Sequence, residues 1–270
     1  MNFQTFVNQH FIIYLCNIKK ENILKNINLV LGCLHAPFHN KTVFNGVLNL
    51  IKDLGKNLDG IYLIGDILDL NSLSFHEKGK YPVAGLTIVK EYKMIKVFDE
   101  LDSALPRGIK KHFVYGNHCA RYLRHKEIPD NDKIIVEAPE EQFRLRERGY
   151  EVKTNWKDDY YKLGDHLELF HGEILGVNPA KRQLDKLKKS CMFAHSHRAG
   201  VHFDGNMGSY NIGCMVDINA PAFNYAGRLT KRNWMTGFAL VTIDDDGFYH
   251  AQLITAYNGR FYYNGKRYAR

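Results

Sequence analysis

Residues 61–69 read IYLIGDILD, an apolar run that ends in a glycine and two acidic residues. A short apolar run closed by a glycine is typical of a buried β-strand. Four more such runs recur along the chain, separated by longer segments with helical spacing, which favours an α/β arrangement. The five predicted strands lie at 29–31, 61–64, 112–115, 167–170 and 191–193.

Each of the five runs leads directly into a residue that can bind a metal or move a proton. In an α/β sheet, ligands bind at the carboxyl ends of the strands, so we expect the five segments to converge. Taken singly, a histidine or an aspartate at a strand end is more often structural. The segments that follow the runs are GCLH (32–35), GDILD (65–69), GNHC (116–119), HG (171–172) and AHSH (194–197).

Imidazole, carboxylate and amide groups dominate these segments. This donor set suits Mn, Fe, Zn or Ni better than Ca or Cu(I). A carboxylate can bridge two metals about 3.5–4 Å apart, the separation that two-metal hydrolases use. Asp66 is the natural candidate for that bridge. The pattern therefore predicts a metal centre with two divalent ions.

The segments between the runs carry apolar residues at helical spacing or begin with helix-start signals. Helices are predicted over 43–54, 88–101, 139–149 and from 179 onward. Residues 198–236 are rich in glycine and asparagine with little periodicity, which predicts long loops. Strands then follow at 238–243, 247–257 and 261–263, with turns at 245–247 and 258–259.

The chain has 270 residues, 45% of them hydrophobic and 24% charged, which is ordinary for a globular protein. This composition excludes a disordered chain, and the 22 Gly and 7 Pro exclude a collagen-like fibre. The five cysteines have no CxxC spacing, so neither a disulfide framework nor a zinc ribbon is expected. We predict an N-terminal extension over 1–28 and a single domain over 29–270.

Lys and Arg number 37 against 29 Asp and Glu, and the net charge of +8 fits either an anionic partner or solubility alone. The longest N-terminal apolar run, at 11–16, is far shorter than the roughly 20 residues of a membrane helix. No signal-peptide pattern is evident. The predicted compartment is therefore the cytoplasm, and no membrane partner is expected.

In their order along the chain, the five segments resemble the motifs of the calcineurin-like metallophosphoesterases, which run D-x-H, GDxxD, GNH[E/D], H and GHxH. The resemblance covers residues 29 to 197. It implies a four-layer α/β-β-α sandwich, with mixed sheets flanked by helices, and a metal-dependent phosphoesterase activity. Residues 211–214 and 234–238 also look similar to segments of phage and bacterial members, which would suit a phage-encoded protein acting in a host cytosol.

The resemblance also implies a role for each matching residue. A first metal would be held by Cys33, His35, Asp66 and His197, and a second by Asp66, Asn117, His171 and His195. A hydroxide activated by the two metals would attack phosphorus in line. His118 would protonate the leaving oxygen with Asp69 orienting its ring, and Arg121 would clamp a phosphate oxygen or be a solvated charge.

Two cysteines depart from the family pattern. Cys33 stands where an aspartate binds the first metal, and Cys119 stands where Glu or Asp is usual. A thiolate can bind Zn or Fe, so Cys33 can serve as a softer ligand. In the alternative, Cys33 is an inert side chain and the first site is weak or empty. The chain would then be a catalytically impaired metal- or nucleic-acid-binding member of the same fold.

Three basic stretches suggest a polyanion such as DNA or RNA, and nearby aromatic residues could stack on its bases. The opposing interpretation is a solvated basic surface with aromatic residues anchored in the core. The stretches lie at 121–126, 181–189 and 228–232, and the aromatic residues are Phe223, Tyr225 and Trp234. The leading substrate expectation is a phosphodiester in a nucleic acid. A nucleotide or small phosphomonoester comes second and a phosphoprotein third.

Overall fold

Two mixed β-sheets pack face to face at the centre of the fold, with helices on their outer sides. The computed structural model describes residues 26–74, 85–126 and 137–269. The predicted N-terminal extension lies outside these residues except for its last three positions, of which Ile27 and Asn28 begin the first strand. Within the described ranges, no helix has the length and apolar composition needed to cross a membrane.

The first sheet contains six strands. They are β1 (Ile27–Leu31), β2 (Leu58–Ile64), β3 (Lys110–Val114), β4 (Tyr150–Lys153), β10 (Thr236–Ile243) and β11 (Tyr249–Ala256). Their order across the sheet is β11-β10-β1-β2-β3-β4. Strands β1 to β4 are parallel, whereas β10 pairs antiparallel with both β1 and β11. The strands predicted at 29–31, 61–64 and 112–115 are confirmed here.

The second sheet contains five strands. They are β5 (Tyr161–Leu163), β6 (Leu167–Leu169), β7 (Cys191–Phe193), β8 (Ala199–Asp204) and β9 (Met207–Ile212). In the order β5-β6-β7-β9-β8, the three inner strands are parallel and the two edge strands pair antiparallel. The strands predicted at 167–170 and 191–193 are confirmed in this sheet. A hairpin of β12 (Arg260–Tyr263) and β13 (Lys266–Ala269) forms a separate small sheet.

Helices cover the outer faces of both sheets. They are α1 (Lys41–Leu54), α2 (Ile88–Met94), α3 (Val97–Ala104), α4 (Ala120–Lys126), α5 (Pro139–Gln142), α6 (Pro179–Leu187) and α7 (Arg228–Arg232). Asn40 caps the N-terminus of α1, because its side chain accepts a hydrogen bond from the Val43 N–H. Helix α6 packs on β8 and β9. This arrangement confirms the predicted α/β fold of mixed sheets flanked by helices.

Two hydrophobic cores fix the stacking of these layers. Along β1, Leu29 and Leu31 pack in the core on the helix side, while Val30 packs in the core between the two sheets. All five residues of β1 are buried because both faces of the strand are covered. A strand buried on both faces has a continuous apolar sequence, and this is why the runs at 29–31 and 61–64 predicted strands correctly.

The helix predicted over 88–101 is in fact two helices, α2 and α3. Ile95 takes an extended conformation with ψ 116°, and its N–H bonds to the Tyr92 carbonyl, which ends α2. Ile95 is nevertheless buried, so the apolar periodicity continues across the break and does not reveal it. The helix predicted over 139–149 is also shorter, because it ends after the four residues of α5, and Arg144 beyond it has a left-handed backbone with φ 51°.

The loop predicted over 198–236 contains the hairpin of β8 and β9, so that prediction is wrong for those residues. Strand β8 lies at a sheet edge and is largely exposed, so it lacks the alternating burial that marks a strand in sequence. Strands β4, β5 and β13 have only three or four residues each and were also not predicted. The turns predicted at 245–247 and 258–259 are confirmed.

His39 gives the fold a dependence on pH that does not involve the predicted ligands. It lies buried beside Phe44, with ring centroids 5.0 Å apart, and its Nδ1 has no hydrogen-bond partner among the described residues. Burial lowers the pKa of His39 from 6.5 to about 4, so the unfolded chain takes up a proton more readily than the folded one. His39 should therefore remove about 2 kcal/mol of stability as the pH falls from about 7.5 to about 5.

Urea unfolding of metal-free protein at both pH values tests this expectation. Replacement of His39 by Phe keeps a ring against Phe44 and removes the titrating group, so the acid-induced loss should be about 2 kcal/mol smaller in His39→Phe than in the wild type. Equal losses in the two proteins would contradict the expectation.

Candidate metal centre

The predicted metal ligands and catalytic residues meet where five strands end. Cys33 and His35 follow β1, Asp66 and Asp69 follow β2, Asn117 and His118 follow β3, His171 follows β6, and His195 and His197 follow β7. Backbone hydrogen bonds hold the first two strand exits side by side: the Cys33 N–H bonds to the Gly65 carbonyl at 3.0 Å, and the His35 N–H to the Asp66 carbonyl at 2.8 Å. The carboxyl ends of the strands thus converge as expected for this fold class.

Four of these residues, Asp66, Asn117, His171 and His195, form what we call the His171 cluster. The His171 Nε2 atom lies 2.9 Å from Asn117 Oδ1 and 3.2 Å from Asp66 Oδ2. His195 Nδ1 lies 3.1 Å from the same Nε2 and 3.0 Å from Asn117 Oδ1. On the other side of the ring, His171 Nδ1 donates to the Ile64 carbonyl at 3.3 Å, so Nε2 of the neutral ring carries a lone pair.

The spacing within the His171 cluster fits the ligands of one metal ion. Oxygen and nitrogen lone pairs face one another at 2.9–3.2 Å. Two ligands that each lie about 2.1 Å from a metal at a right angle are about 3.0 Å apart. Burial, reinforced by His171, lowers the pKa of His195 to about 4, so this imidazole is neutral near pH 7 and free to ligate.

Cys33, His35 and His197 form a second group, the His35 cluster, whose donor atoms all lie within 4.8 Å of one another. His35 Nδ1 lies 3.2 Å from Asp69 Oδ1, and His35 Nε2 lies 3.0 Å from His197 Nε2. Burial lowers the pKa of both imidazoles, and for His197 the effect is increased by His35. Two neutral imidazoles and a sulfur atom suit a borderline metal such as Zn or Fe.

Cys33 is a member of the His35 cluster, but it also lies close to the His171 cluster. Its Sγ is within 4.8 Å of donor atoms of Asp66 and His171. The Sγ atom accepts a hydrogen bond from the His195 N–H at 3.2 Å. Burial raises the pKa of the Cys33 thiol well above its ordinary value, and the charge of Asp66 adds to this. The thiol therefore keeps its proton until a cation displaces it. Cys119, by contrast, lies in the helix-side core and joins no metal-binding group of the described residues.

Asp66 is the charged centre of the site. Burial alone would raise the pKa of Asp66, but its electrostatic interactions with His171 and His118 outweigh burial and lower the pKa well below its ordinary value. Its Oδ1 accepts from the His118 N–H at 2.9 Å, and its Oδ2 lies 3.8 Å from His35 Nε2. One carboxylate oxygen is thus fixed by the backbone, and the other faces the donors of both clusters.

Asp69, His118 and Arg121 form a hydrogen-bonded group beside the clusters. Asp69 Oδ1 lies 2.5 Å from His118 Nδ1, and the Arg121 guanidinium donates to the Asp69 carbonyl at 2.9 Å. Asp69 also faces His35 Nδ1, so it orients a predicted ligand as well as the predicted acid. Arg121 is 14% exposed, so it is not a solvated charge.

The second nitrogen of His118 is engaged as well. Arg121 Nη2 lies 3.3 Å from His118 Nε2, and because a guanidinium can only donate, this nitrogen accepts. In this arrangement Nδ1 of His118 faces the Asp69 carboxylate and Nε2 faces the Arg121 guanidinium. Arg121 would have to move away from the ring before a substrate oxygen could take its place at Nε2.

The backbone at the strand exits is strained in a way that points to function. Five predicted ligands adopt the left-handed conformation, which costs a residue with a Cβ about 1–3 kcal/mol. They are Cys33 (φ 48°), His35 (φ 54°), Asp66 (φ 48°), His195 (φ 53°) and His197 (φ 61°). Such strain persists only where the surrounding structure enforces it, and it clusters at functional sites.

One buried residue that supports the site was not predicted from the sequence. Glu91 on α2 is fully buried and accepts hydrogen bonds from the Asn71 N–H at 2.8 Å, and from the Ser72 N–H at 2.9 Å and hydroxyl at 2.6 Å. The Asn71 side chain in turn donates to Asp69 Oδ2 at 3.2 Å. Glu91 thus fixes the loop that carries Asp69. Glu91 falls on the apolar face of the helix, three residues after Ile88. A charged residue at such a position is the sequence signal that could have identified it.

Replacing Glu91 with Ala should destabilise the protein by about 2–4 kcal/mol, because three donors lose a charged acceptor and one of them is buried. Urea unfolding followed by circular dichroism measures the change. Glu100→Ala, at an exposed position on α3, is the control and should shift stability by about 0.5 kcal/mol or less. A loss in Glu91→Ala as small as that of the control would disprove the supporting role.

The aromatic residues associated with nucleic acid in the sequence analysis have different surroundings. Phe223 is fully buried, and the Trp234 ring stands edge-on to His197 with centroids 4.5 Å apart. Both therefore form walls of the His35 cluster; Phe223 offers no open face for a base, and Trp234 is only partly exposed. Tyr225 is 54% exposed and remains accessible.

The basic stretches carry less free charge than their composition suggests. Three lysines on or beside α6 are paired with carboxylates: Lys181 with Asp185 at 2.6 Å, Lys186 with Glu173 at 3.8 Å and Lys189 with Glu168 at 2.7 Å. Arg124, Arg228 and Arg232 are exposed, and the side chains of residues 125 and 126 lie outside those that the structure describes.

No protein-family profile and no curated protein matches the chain. Among solved structures, Vacuolar Protein Sorting 29 from Cryptosporidium parvum is 14% identical, with a TM-score of 0.41, over 90% of this chain and 95% of that one. Wild-type Vps29 from Entamoeba histolytica, complexed with zinc, is 15% identical, with a TM-score of 0.41, over 85% and 98% of the two chains. A conserved uncharacterized protein from Streptococcus pneumoniae TIGR4, described as a predicted phosphoesterase, is 14% identical, with a TM-score of 0.35, over 91% and 98%. At these identities and TM-scores the similarities carry no argument about function. The functional proposal is therefore based on the two clusters.

Proposed function

We propose that the chain is a metal-dependent phosphoesterase whose two clusters hold two divalent ions, with Mn, Fe, Zn or Ni as the candidates. The observation that carries the proposal is the meeting of imidazole, carboxylate, amide and thiol donors from five strand ends at one place. The proposed substrate is a phosphodiester in a nucleic acid or a nucleotide, and the net charge of +8 supports an anionic substrate.

Asp66 and Cys33 are the residues best placed to serve both ions. Asp66 Oδ2 lies 3.2 Å from His171 Nε2 and 3.8 Å from His35 Nε2, and Cys33 Sγ lies near donors of the same two clusters. When bound, two divalent ions would supply Lewis acidity toward the phosphate and lower the pKa of a water. The chain itself holds the ligand atoms in place through buried side chains and hydrogen-bonded strand exits.

His118 is the proposed general acid, and its Nε2 is the atom that would deliver the proton. Asp69 holds the Nδ1–H of His118 at 2.5 Å, which leaves Nε2 directed away from the carboxylate. Arg121 now donates to Nε2. A phosphate oxygen that attracts the guanidinium would release Nε2 for protonation and for the leaving oxygen, so substrate binding and acid catalysis would be linked through Arg121.

A second candidate function is metal or nucleic-acid binding without turnover. Cys33 favours it, because its buried Sγ accepts a hydrogen bond from the His195 N–H, an arrangement that satisfies a neutral thiol without a metal. In this case the His35 cluster binds metal weakly or not at all, and the His171 cluster holds a single ion.

The two functions are separated by metal content and turnover together. Protein purified without a His tag is analysed by mass spectrometry, and hydrolysis of bis(p-nitrophenyl) phosphate and of DNA is assayed with Mn, Ni, Zn, Fe and Mg. Hydrolysis with two bound ions per chain supports the phosphoesterase. Bound metal without hydrolysis under any of these conditions overturns it in favour of the binding protein.

Variants of Cys33 identify the role of the thiol. If Cys33 is a ligand, Cys33→Ala should lower the metal content from two ions to one and reduce hydrolysis about a hundredfold, whereas Cys33→Asp should keep both ions. If Cys33 instead prevents metal binding at the His35 cluster, the wild type should hold one ion, and Cys33→Asp should gain phosphodiester hydrolysis. Unchanged metal content in Cys33→Ala would exclude the thiol as a ligand.

A further inference from the structure

A cavity of about 380 Å³ lies beside the His171 cluster, bounded by residues 156–160, residues 170–173 and helix α6. We propose that this cavity binds the nucleobase of the substrate. The inference rests on the proposed function for the phosphate, and it adds the chemical group that lies next to that phosphate. A volume of this size is at the lower end of the range for small-molecule sites, about 300–1,000 Å³, and suits a single ring system.

The cavity shares a wall with the metal centre. The Trp156 ring lines it and also stands edge-on to His171, with centroids 6.2 Å apart and planes at 72°. Phe170 and Gly172, the two chain neighbours of His171, line it as well. A group seated in the cavity is therefore one side chain away from the His171 cluster, the reach of a nucleotide with its phosphate at that cluster.

Three lysines and four carboxylates line the cavity, so its charged groups do not favour an anion. Lys189 pairs with Glu168 at 2.7 Å, and Lys186 with Glu173 at 3.8 Å. The ammonium group of Lys157 lies over the Trp156 ring, 5.7 Å from its centroid. Because the carboxylates of the lining outnumber the lysines, a neutral ring with polar edges fits the cavity better than a second phosphate does.

The remaining features fit a flat ring with N–H groups at its edge. Trp156, Tyr160 and Phe170 provide aromatic surface for stacking, which is sequence-tolerant because every base has a π face. Gln183 of α6 is only 7% exposed, and its Oε1 has no hydrogen-bond partner among the described residues. A buried acceptor without a partner is unfavourable by about 1–3 kcal/mol, and a rotation of the Gln183 amide into the cavity would let an amino group on a base edge satisfy it.

The chain contains two tryptophans, one beside each cluster, which allows the bound ring to be located by fluorescence. Trp234→Phe leaves Trp156 as the only reporter, and Trp156→Phe leaves Trp234. Titration with adenosine should quench the wild type and Trp234→Phe saturably and leave Trp156→Phe unquenched. Quenching that persists in Trp156→Phe would place the base elsewhere, and no quenching up to the solubility limit of adenosine would overturn the proposal.

Equilibrium dialysis tests the contact of Gln183 with the base in two ways, by changing the residue and by changing the ligand. Gln183→Leu should bind adenosine about 5- to 10-fold more weakly, whereas Gln252→Leu, at an exposed position on β11, should bind it unchanged. Purine riboside, which lacks the amino group, should bind the wild type about 5- to 10-fold more weakly than adenosine does. This second comparison needs no variant, so it decides the point even if Gln183→Leu fails to fold. Equal affinities in both comparisons would contradict the role of Gln183.

Failure of this inference is distinguishable from failure of the proposed function, because adenosine carries no phosphate. Adenosine binding without any phosphodiester hydrolysis would support the assignment of the cavity to a nucleobase and overturn the proposed phosphoesterase activity. Hydrolysis without adenosine binding would support the phosphoesterase and overturn the nucleobase proposal. Saturable quenching of Trp156 by glucose but not by adenosine would assign the cavity to a sugar and overturn the nucleobase proposal.

Discussion

Replacing Asp66 with Asn should reduce metal-dependent phosphodiester hydrolysis by at least about a thousandfold, equivalent to about 4 kcal/mol of transition-state stabilisation. Asp66 Oδ2 faces His171 Nε2 at 3.2 Å and His35 Nε2 at 3.8 Å, so one residue serves both clusters. Asparagine keeps the size but loses the negative charge that both ions would share. The measurements are kcat/KM with bis(p-nitrophenyl) phosphate and the number of metal ions per chain.

The fold should survive this substitution, because asparagine keeps an oxygen that can accept from the His118 N–H, and the favourable interaction of the charged Asp66 with the surrounding histidines is lost together with the penalty of burying that charge. We expect the metal-free variant to unfold within a few degrees of the wild type. Asp165→Asn is the matched control, since Asp165 is 68% exposed, and it should leave hydrolysis unchanged. Hydrolysis at the wild-type rate in Asp66→Asn would show that the reaction occurs at another site.

Replacing Gly116 with Ala should affect both folding and catalysis, with a loss of stability of about 3 kcal/mol. A Cβ at this position would overlap both Oδ1 and the backbone nitrogen of Asp66 and lie 2.7 Å from its Cγ. The side chain could rotate away, but the backbone nitrogen is fixed by the sheet. A displaced Asp66 would also reduce metal-dependent hydrolysis by about a hundredfold, since shifts of about 1 Å have effects of that size.

Urea unfolding and metal analysis of Gly116→Ala measure the two effects. Gly200→Ala is the matched control, because a Cβ there meets nothing within 4 Å, and its stability and metal content should match those of the wild type. If Gly116→Ala keeps wild-type stability and both ions, the tight contact between the second and third strand exits is not required.

The position of the site could be predicted from sequence because each ligand residue directly follows a run of apolar residues. Leu29, Leu31 and Ile64 are buried whatever the details of the connections, and the residue after the strand end must emerge at the same edge of the sheet. The elements that were missed lack such a signal. Strand β8 is exposed at a sheet edge, and the break at Ile95 leaves the apolar period intact.

The hydrogen bonds that orient the site were not predictable in the same way. Glu91 accepts from backbone groups twenty residues earlier in the chain, and nothing in a residue pattern specifies a backbone partner. The contact between Arg121 and His118 Nε2 depends on the turn that begins α4, whose side-chain directions follow from packing. Residue types at strand ends thus indicate the chemistry, while the protonation and orientation of each group depend on the tertiary structure.

The left-handed conformation of five predicted ligand residues has a consequence for how this protein can be stabilised. Glycine or asparagine adopts that conformation at less cost, so replacing His35 or His197 by either should relieve strain at the strand exit. The same replacement removes a donor atom. Selection for thermal stability in metal-free conditions should therefore favour substitutions that eliminate the clusters, and only selection in the presence of metal should keep them.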